Sequence, residues 1–215
     1  MQSADEVRVY RGQTLSGACL DELDLRGLDL TATTLSGVNL RKVGLGGALL
    51  GQTVWTRVEG QSCDMQRADL QGAAFDGVRF AQCNLAQVQA AGASLRNAHL
   101  VDCMMPSCVL DGARLKDVVV EGADTPYLSA QKAVLMRCRF ANVRLGGAPL
   151  MRARLAGAFL LECDLRFANL YAADLRGAVL IRCDLSDAHF DDADLTGAVI
   201  VACTTERTDW ANARR

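Results

Sequence analysis

The chain has 215 residues, half of them apolar, and a formal net charge of -2. That is enough for one domain with a real core, and it argues against disorder. No apolar run is long enough to span a bilayer, and the slight acidity with 5% aromatic content argues against nucleic-acid binding through a basic surface or stacking platforms.

Residues 1–12 read as an N-terminal cap. They contain no apolar stretch, so a secretory signal is not expected. The nine cysteines are then expected to be reduced thiols of a cytoplasmic protein rather than a disulfide framework.

Residues 13–210 form one uninterrupted repeat. Of the 38 positions divisible by five between 15 and 200, 29 are Leu or Phe, and Val, Ile, Met and Trp raise the count to 34. Two residues before each lies a second column, in which 32 of 38 members are Ala, Cys or Val. A period of five fits no straight element. In an α-helix it advances the side chain by about 140° net, and in a strand it alternates faces. The chain must therefore turn once per repeat, with the large residue and the small one inward.

Fourteen of the 19 glycines stand two residues after a large position, where a corner with φ > 0 is expected. Cys63, Cys83 and Cys103 are 20 apart, as are Cys163, Cys183 and Cys203. Four repeats per coil would stack these thiols at the strand spacing of about 4.8 Å, and ten coils would make a rod about 48 Å long. Residues 211–215 are read as a C-terminal tail.

The repeats Ala68-Asp69-Leu70, Ala168-Asn169-Leu170, Ala173-Asp174-Leu175 and Ala193-Asp194-Leu195, with variants such as Cys163-Asp164-Leu165, resemble the motif of pentapeptide-repeat proteins. The resemblance implies an all-β fold, a right-handed quadrilateral β-helix. It also implies a binding protein rather than an enzyme. Some members engage DNA gyrase or topoisomerase IV, type II DNA topoisomerases, as mimics of duplex DNA and give resistance or self-immunity to a poison.

Two stretches weaken the pattern. One is 55–63, with Gly60 in a large position. The other is 124–130, with Thr125, Pro126 and Ala130. Each reads as a bulge or a protruding loop.

His99 and His189, the two histidines, lie more than four coils apart, so no catalytic arrangement is expected. A single line of thiols makes no tetrahedral metal site, and there is no phosphate-cradling glycine loop. No catalytic, cofactor or metal residue is predicted.

The outward positions supply two candidate surfaces. Phe159, Leu161, Val179, Ile181, Val199 and Val201 flank inward Leu160, Leu180 and Ile200 in three successive coils. Together they predict an apolar face for a second copy of the chain or another protein. Around them Asp164, Asp174, Asp184, Asp187, Asp191, Asp192 and Asp194 concentrate acid toward the C-terminus, the candidate mimic surface. Arg137, Arg139, Arg144, Arg152, Arg154, Arg166, Arg176 and Arg182 occupy different columns and are expected to ring the rod, with Arg154 beside Asp174 and Arg144 beside Asp164. A non-enzymatic topoisomerase-binding protein is the first functional expectation. An adaptor that holds another protein through the apolar face is the alternative.

Overall fold

The computed structural model describes residues 11–215, so the expected cap at 1–12 lies almost wholly outside the described residues. The chain winds in 20-residue coils, and on each wall residue i pairs in parallel with residue i + 20, with one gap at Pro149. Two of the four walls are sheets of three-residue strands. Sheet A contains β1 (Thr14–Ser16), β3 (Thr34–Ser36), β5 (Val54–Thr56), β7 (Ala74–Asp76), β9 (Ser94–Arg96), β11 (Arg114–Lys116) and β13 (Val134–Met136). Sheet B contains β2 (Cys19–Asp21), β4 (Asn39–Arg41), β6 (Glu59–Gln61), β8 (Arg79–Ala81), β10 (His99–Val101), β12 (Val119–Glu121), β14 (Arg139–Ala141), β15 (Phe159–Leu161), β16 (Val179–Ile181) and β17 (Val199–Val201). The other two walls, and sheet A's wall beyond Arg154, are single bridges such as Asp164↔Asp184 and Asp174↔Asp194. Among the described residues there is no helix, hence none able to cross a membrane.

The two predicted columns fill the interior. Leu25, Leu50, Leu165 and Leu180 are at most 2% exposed, and Ala48, Ala98, Ala153 and Ala178 are fully buried between them. Every corner has positive φ, but glycine accounts for only part of this. Arg152 at φ 58° and Ala172 at φ 53° adopt the same conformation. Each such residue costs about 1–2 kcal/mol relative to the right-handed region. The corner N–H groups offset that cost by bonding into the next coil: Arg152 N–H donates to the Tyr171 carbonyl at 2.9 Å and Ala172 N–H to the Asp191 carbonyl at 2.9 Å.

Neither weak stretch is a bulge or a loop. β6 pairs in register with β4 and β8 across Gly60. Gly60 is where volume is returned after Trp55, which packs with Phe75 and Phe80 at centroid distances of 5.5 and 6.0 Å. At 124–130 the exchange runs between columns. Thr125 and Ala130 are small where Leu is usual, and Leu128 fills the small column. Thr125 Oγ1 donates to the Arg144 carbonyl at 2.6 Å, which satisfies its buried hydroxyl.

Pro126 costs nothing in the ladder. Its counterparts one, two and three coils away, Pro106, Ala86 and Gln66, accept through their carbonyls, and the N–H groups of Gln66 and Ala86 turn to the side chains of Asp64 and Asn84. Pro149 is the proline that matters. Asn169 N–H, one coil on, donates to the Ala148 carbonyl, whereas Pro149 has no N–H for the carbonyl of Leu128. The bridge between positions 129 and 149 is missing accordingly.

Candidate functional site

The Asp of the repeat is first of all a turn residue. On the bridge walls the N–H two residues after the Asp has no partner in the neighbouring coil, and the carboxylate supplies one. Asp164 Oδ1 accepts from Arg166 N–H at 3.0 Å, Asp184 Oδ1 from Ser186 N–H at 3.0 Å, and Asp194 Oδ1 from Thr196 N–H at 3.0 Å. Asn169 does the same for Tyr171 at 3.0 Å. Asp and Asn suit this role because a short side chain reaches the N–H two residues on.

The same geometry returns an arginine to its own repeat. Arg166 chelates Asp164 through Nε and Nη2 at 2.9 and 2.7 Å, and Arg176 chelates Asp174 at 2.8 and 2.8 Å. Arg144 and Arg154 stand beside Asp164 and Asp174 in register, as expected, but the chelating partner is the arginine of the aspartate's own repeat. Arg144 pairs with Asp124 at 3.6 Å, and among the described residues Arg154 makes no ion pair and acts on Asp174 only at longer range, because the arginine two residues after each Asp is the nearer partner. The Arg166 guanidinium holds the Asp164 carboxyl below the usual carboxylate range, and Arg176 does so for Asp174. Inter-coil staples join 20 residues apart elsewhere, with Asp187 chelated by Arg207 at 2.6 and 2.7 Å.

The seven candidate acids therefore do not form one free anionic field. Asp164 and Asp184 lie on one wall, Asp174 and Asp194 on another, and Asp187, Asp191 and Asp192 near corners. Asp164, Asp174 and Asp187 are chelated by arginine, Asp184 binds the Ser186 hydroxyl at 2.6 Å, Asp194 the Thr196 hydroxyl at 2.6 Å, and Asp191 accepts from Asn212 at 3.3 Å.

The apolar candidates do converge. Phe159↔Val179↔Val199 and Leu161↔Ile181↔Val201 are in register along β15, β16 and β17, forming two outward rows on sheet B. Val199 and Val201 are 47% and 49% exposed, and the other four are half-buried by their neighbours. The corner before the rows is Gly157, Gly177 and Gly197, with no side chain beside them, and the corner after them is Glu162, Arg182 and Ala202, where Arg182 pairs with Glu162 at 3.1 Å. Arg139 lies over the Phe159 ring at 5.3 Å and ends the strip on the β14 side. Val119 and Val101, in coils before it, are separated from it by Arg139 and Glu121.

The nine cysteines are free thiols, with Cys19 exposed, Cys203 partly so and seven buried. Burial pushes the Cys108 thiol up to about 12 and that of Cys138 up to about 11. The buried row thiols sit against backbone carbonyls, as Cys83 does on Gly60 at 3.5 Å. Among the described residues no three His, Cys, Asp or Glu side chains are grouped to hold a metal ion. His99 and His189 are both exposed, on sheet B and on a bridge wall.

One feature of the surface escapes a reading in chain order. The eight arginines singled out from sequence do fall on different walls. On sheet A, however, Arg152 and Arg154 stand beside Arg96, Arg114, Lys116 and Lys132, all exposed and in four consecutive coils. Sorting basic residues by position within the 20-residue coil would have found this cluster.

A four-walled solenoid of five-residue repeats defines a repeat scaffold. The pentapeptide repeats family matches in eight copies over residues 14–47, 45–82, 63–100, 83–122 and 163–200, and the chain belongs to that family. It is similar to the solved structure of HetL, a pentapeptide repeat protein involved in heterocyst differentiation regulation in the cyanobacterium Nostoc sp. strain PCC 7120. That match has 22% identity over 99% of this chain and 97% of that one, with a TM-score of 0.41. Rfr23 of the cyanobacterium Cyanothece 51142 matches at 20% identity over 61% and 90%, with a TM-score of 0.43. QnrB1, a plasmid-mediated fluoroquinolone resistance protein, matches at 17% identity over 92% and 86%, with a TM-score of 0.32. No functionally curated protein matches.

Proposed function

We propose that this chain is a non-enzymatic, cytoplasmic binding protein whose partner docks on the apolar strip of β15–β17. The observation that carries the reading is the in-register convergence of Phe159, Leu161, Val179, Ile181, Val199 and Val201 on one wall, without a charged side chain among them. Three strands about 4.8 Å apart and three residues long give a footprint of about 150 Å². A stable interface needs about 800 Å² per partner, so the strip is the anchor of a contact that extends onto the polar coils around it. A second copy of the chain is the simplest occupant, because an apolar strip is complementary to itself. Analytical ultracentrifugation across a concentration series tests this. A monomer at all concentrations removes the homodimer and leaves another protein as the partner.

A second reading makes the partner a type II DNA topoisomerase, gyrase or topoisomerase IV, with resistance or self-immunity to a poison as the outcome. It is supported by family membership and by the acid excess in residues 183–215, where seven carboxylates face three basic residues. The tethering of Asp164, Asp174, Asp184, Asp187 and Asp194 weighs against carboxylate mimicry of DNA as its mechanism. A supercoiling assay with purified gyrase, with and without a poison, tests it. Dose-dependent inhibition or rescue supports the reading, and no effect on either topoisomerase removes it.

A further inference from the structure

We propose that the outer face of sheet A between residues 96 and 154 is a docking face for double-stranded nucleic acid, held by its phosphate backbone without reading sequence. Arg114 pairs in register with Ser94, and Lys116 with Arg96. One coil on, Arg114 and Lys116 meet Val134 and Met136, and Val134 in turn meets Arg154. Lys132 and Arg152 occupy the adjoining corner one coil apart. These six cations fall within four coils, about 15 Å from first to last at the strand spacing. All six are exposed, and among the described residues none of their side chains makes an ion pair or a hydrogen bond.

The contrast with the rest of the surface carries the inference. Elsewhere ten of the fifteen described arginines are tied to carboxylates, as Arg26 is to Asp24, Arg41 to Asp21, Arg166 to Asp164 and Arg207 to Asp187. Three carboxylates border this face and each is engaged elsewhere: Asp117 is chelated by Arg137 at 2.6 and 2.7 Å, Asp174, beside Arg154, is chelated by Arg176 at 2.8 Å, and Asp76, beside Arg96, accepts from Asn97 Nδ2 at 2.9 Å. Six positive charges without an ion-pair partner among the described residues remain on a chain whose net charge is -2. The overall acidity, which argued against a nucleic-acid partner, averages over this local field.

Three features select the phosphate backbone of a duplex among polyanions. Four of the six cations are arginine, whose planar fork matches phosphate oxygens. The face holds no outward Trp, Tyr or Phe, so it lacks the anchors that protein interfaces and single-strand platforms rely on. It is flat, with Val134 and Met136 at its middle, so no element enters a groove to read bases. A lipid surface would require a larger apolar wedge than one exposed Met136.

The test is fluorescence anisotropy of a labelled 20-base-pair DNA duplex of arbitrary sequence, titrated with the full chain between 50 and 200 mM NaCl. The expected result is binding whose logarithmic salt slope approaches about -5, since each neutralised phosphate contributes about -0.9. A second duplex of unrelated sequence should bind equally. Arg114→Glu with Arg154→Glu should weaken binding at least tenfold at 50 mM NaCl, and Arg114→Gln with Arg154→Gln should weaken it less. Arg182→Glu, on the sheet B side, should leave it within twofold. Circular dichroism melts establish that each variant is folded. No binding at 50 mM NaCl would overturn the proposal. So would binding that the sheet A variants do not weaken, or capture of polyglutamate or phosphatidylserine vesicles without capture of the duplex.

Discussion

Gly60 and Phe80 face each other in adjacent coils so closely that a Cβ on Gly60 would stand 2.5 Å from Phe80 Cδ1 and 2.8 Å from Cε1. The ring cannot retreat, because it packs edge-on against Trp55 and Phe75 at 6.0 and 6.4 Å. The glycine is thus part of an aromatic layer, and its missing side chain is the space the layer uses.

Gly60→Ala should therefore destabilise the chain by about 1–3 kcal/mol through overpacking. Gly60→Ala with Phe80→Leu should recover part of that loss, because the two residues share one volume. Urea unfolding of the two single variants and the double variant checks this as a cycle. Additive losses would mean that the layer adjusts elsewhere.

The repeat aspartates can be tested as turn residues. Asp174→Ala removes the partner of Arg176 N–H at 3.2 Å together with the chelate to its guanidinium, and should cost about 0.5–1.5 kcal/mol. Asp174→Asn keeps an acceptor for the N–H and loses only the exposed ion pair, so its cost should be about 0–1 kcal/mol. The pH dependence follows the same groups. Hydrogen bonds from Arg26 hold the Asp24 carboxyl at about 2, below its ordinary 3.8, and Asp164 and Asp174 are lowered by Arg166 and Arg176. A depressed carboxyl stabilises the fold fully above its unfolded value and loses that contribution as pH falls through its folded value. Stability should accordingly be flat above about pH 5 and fall between about pH 4 and pH 2, as thermal melts across that range would show.

The fold was legible because one physical constraint, burying a large and a small side chain every five residues, leaves its mark at Leu165, Leu170 and Leu175 alike. The corners were only partly legible. Glycine marks Gly157 and Gly177, but Arg152 and Ala172 turn identically, since the ladder bond at each corner outweighs a side chain's reluctance to take positive φ. The weak stretches misled because sequence shows a position's volume and not its neighbour's. Gly60 compensates Trp55, and Leu128 compensates Thr125 and Ala130. The acidic end misled for a related reason. Asp164 and Asp174 count as charge in a sequence, yet in the coil their carboxylates are occupied by the chain two residues on.

The thiols give a third check on the register. Inward cysteines should be inert while Cys19 and the partly exposed Cys203 react. A thiol-labelling reagent at pH 8 should modify about two of the nine cysteines in the native protein and all nine in denaturant. Rapid native labelling of Cys108 or Cys138, whose thiols burial pushes up to about 12 and 11, would contradict the packing described.

The apolar strip yields the prediction that separates surface from core. Leu161 and Ile181 are register partners on β15 and β16, and their side chains point out while Leu160 and Leu180, one residue before, are buried at 3% and 0% exposure. Leu161→Asp with Ile181→Asp places two charges where water already reaches, so the melting temperature should fall only modestly. The edges of the new carboxylates would face a strip of Phe159, Val179, Val199 and Val201 with no cation inside it. A second copy would have to desolvate those carboxylates unpaired, which costs several kcal/mol. Any self-association seen by ultracentrifugation in the parent chain should therefore disappear in the variant. The matched change Leu160→Asp with Leu180→Asp should instead prevent folding, because the same charges would enter the interior of the coil. If the outward pair unfolds the chain and the inward pair does not, the register of sheet B is shifted by one residue and the strip is part of the core.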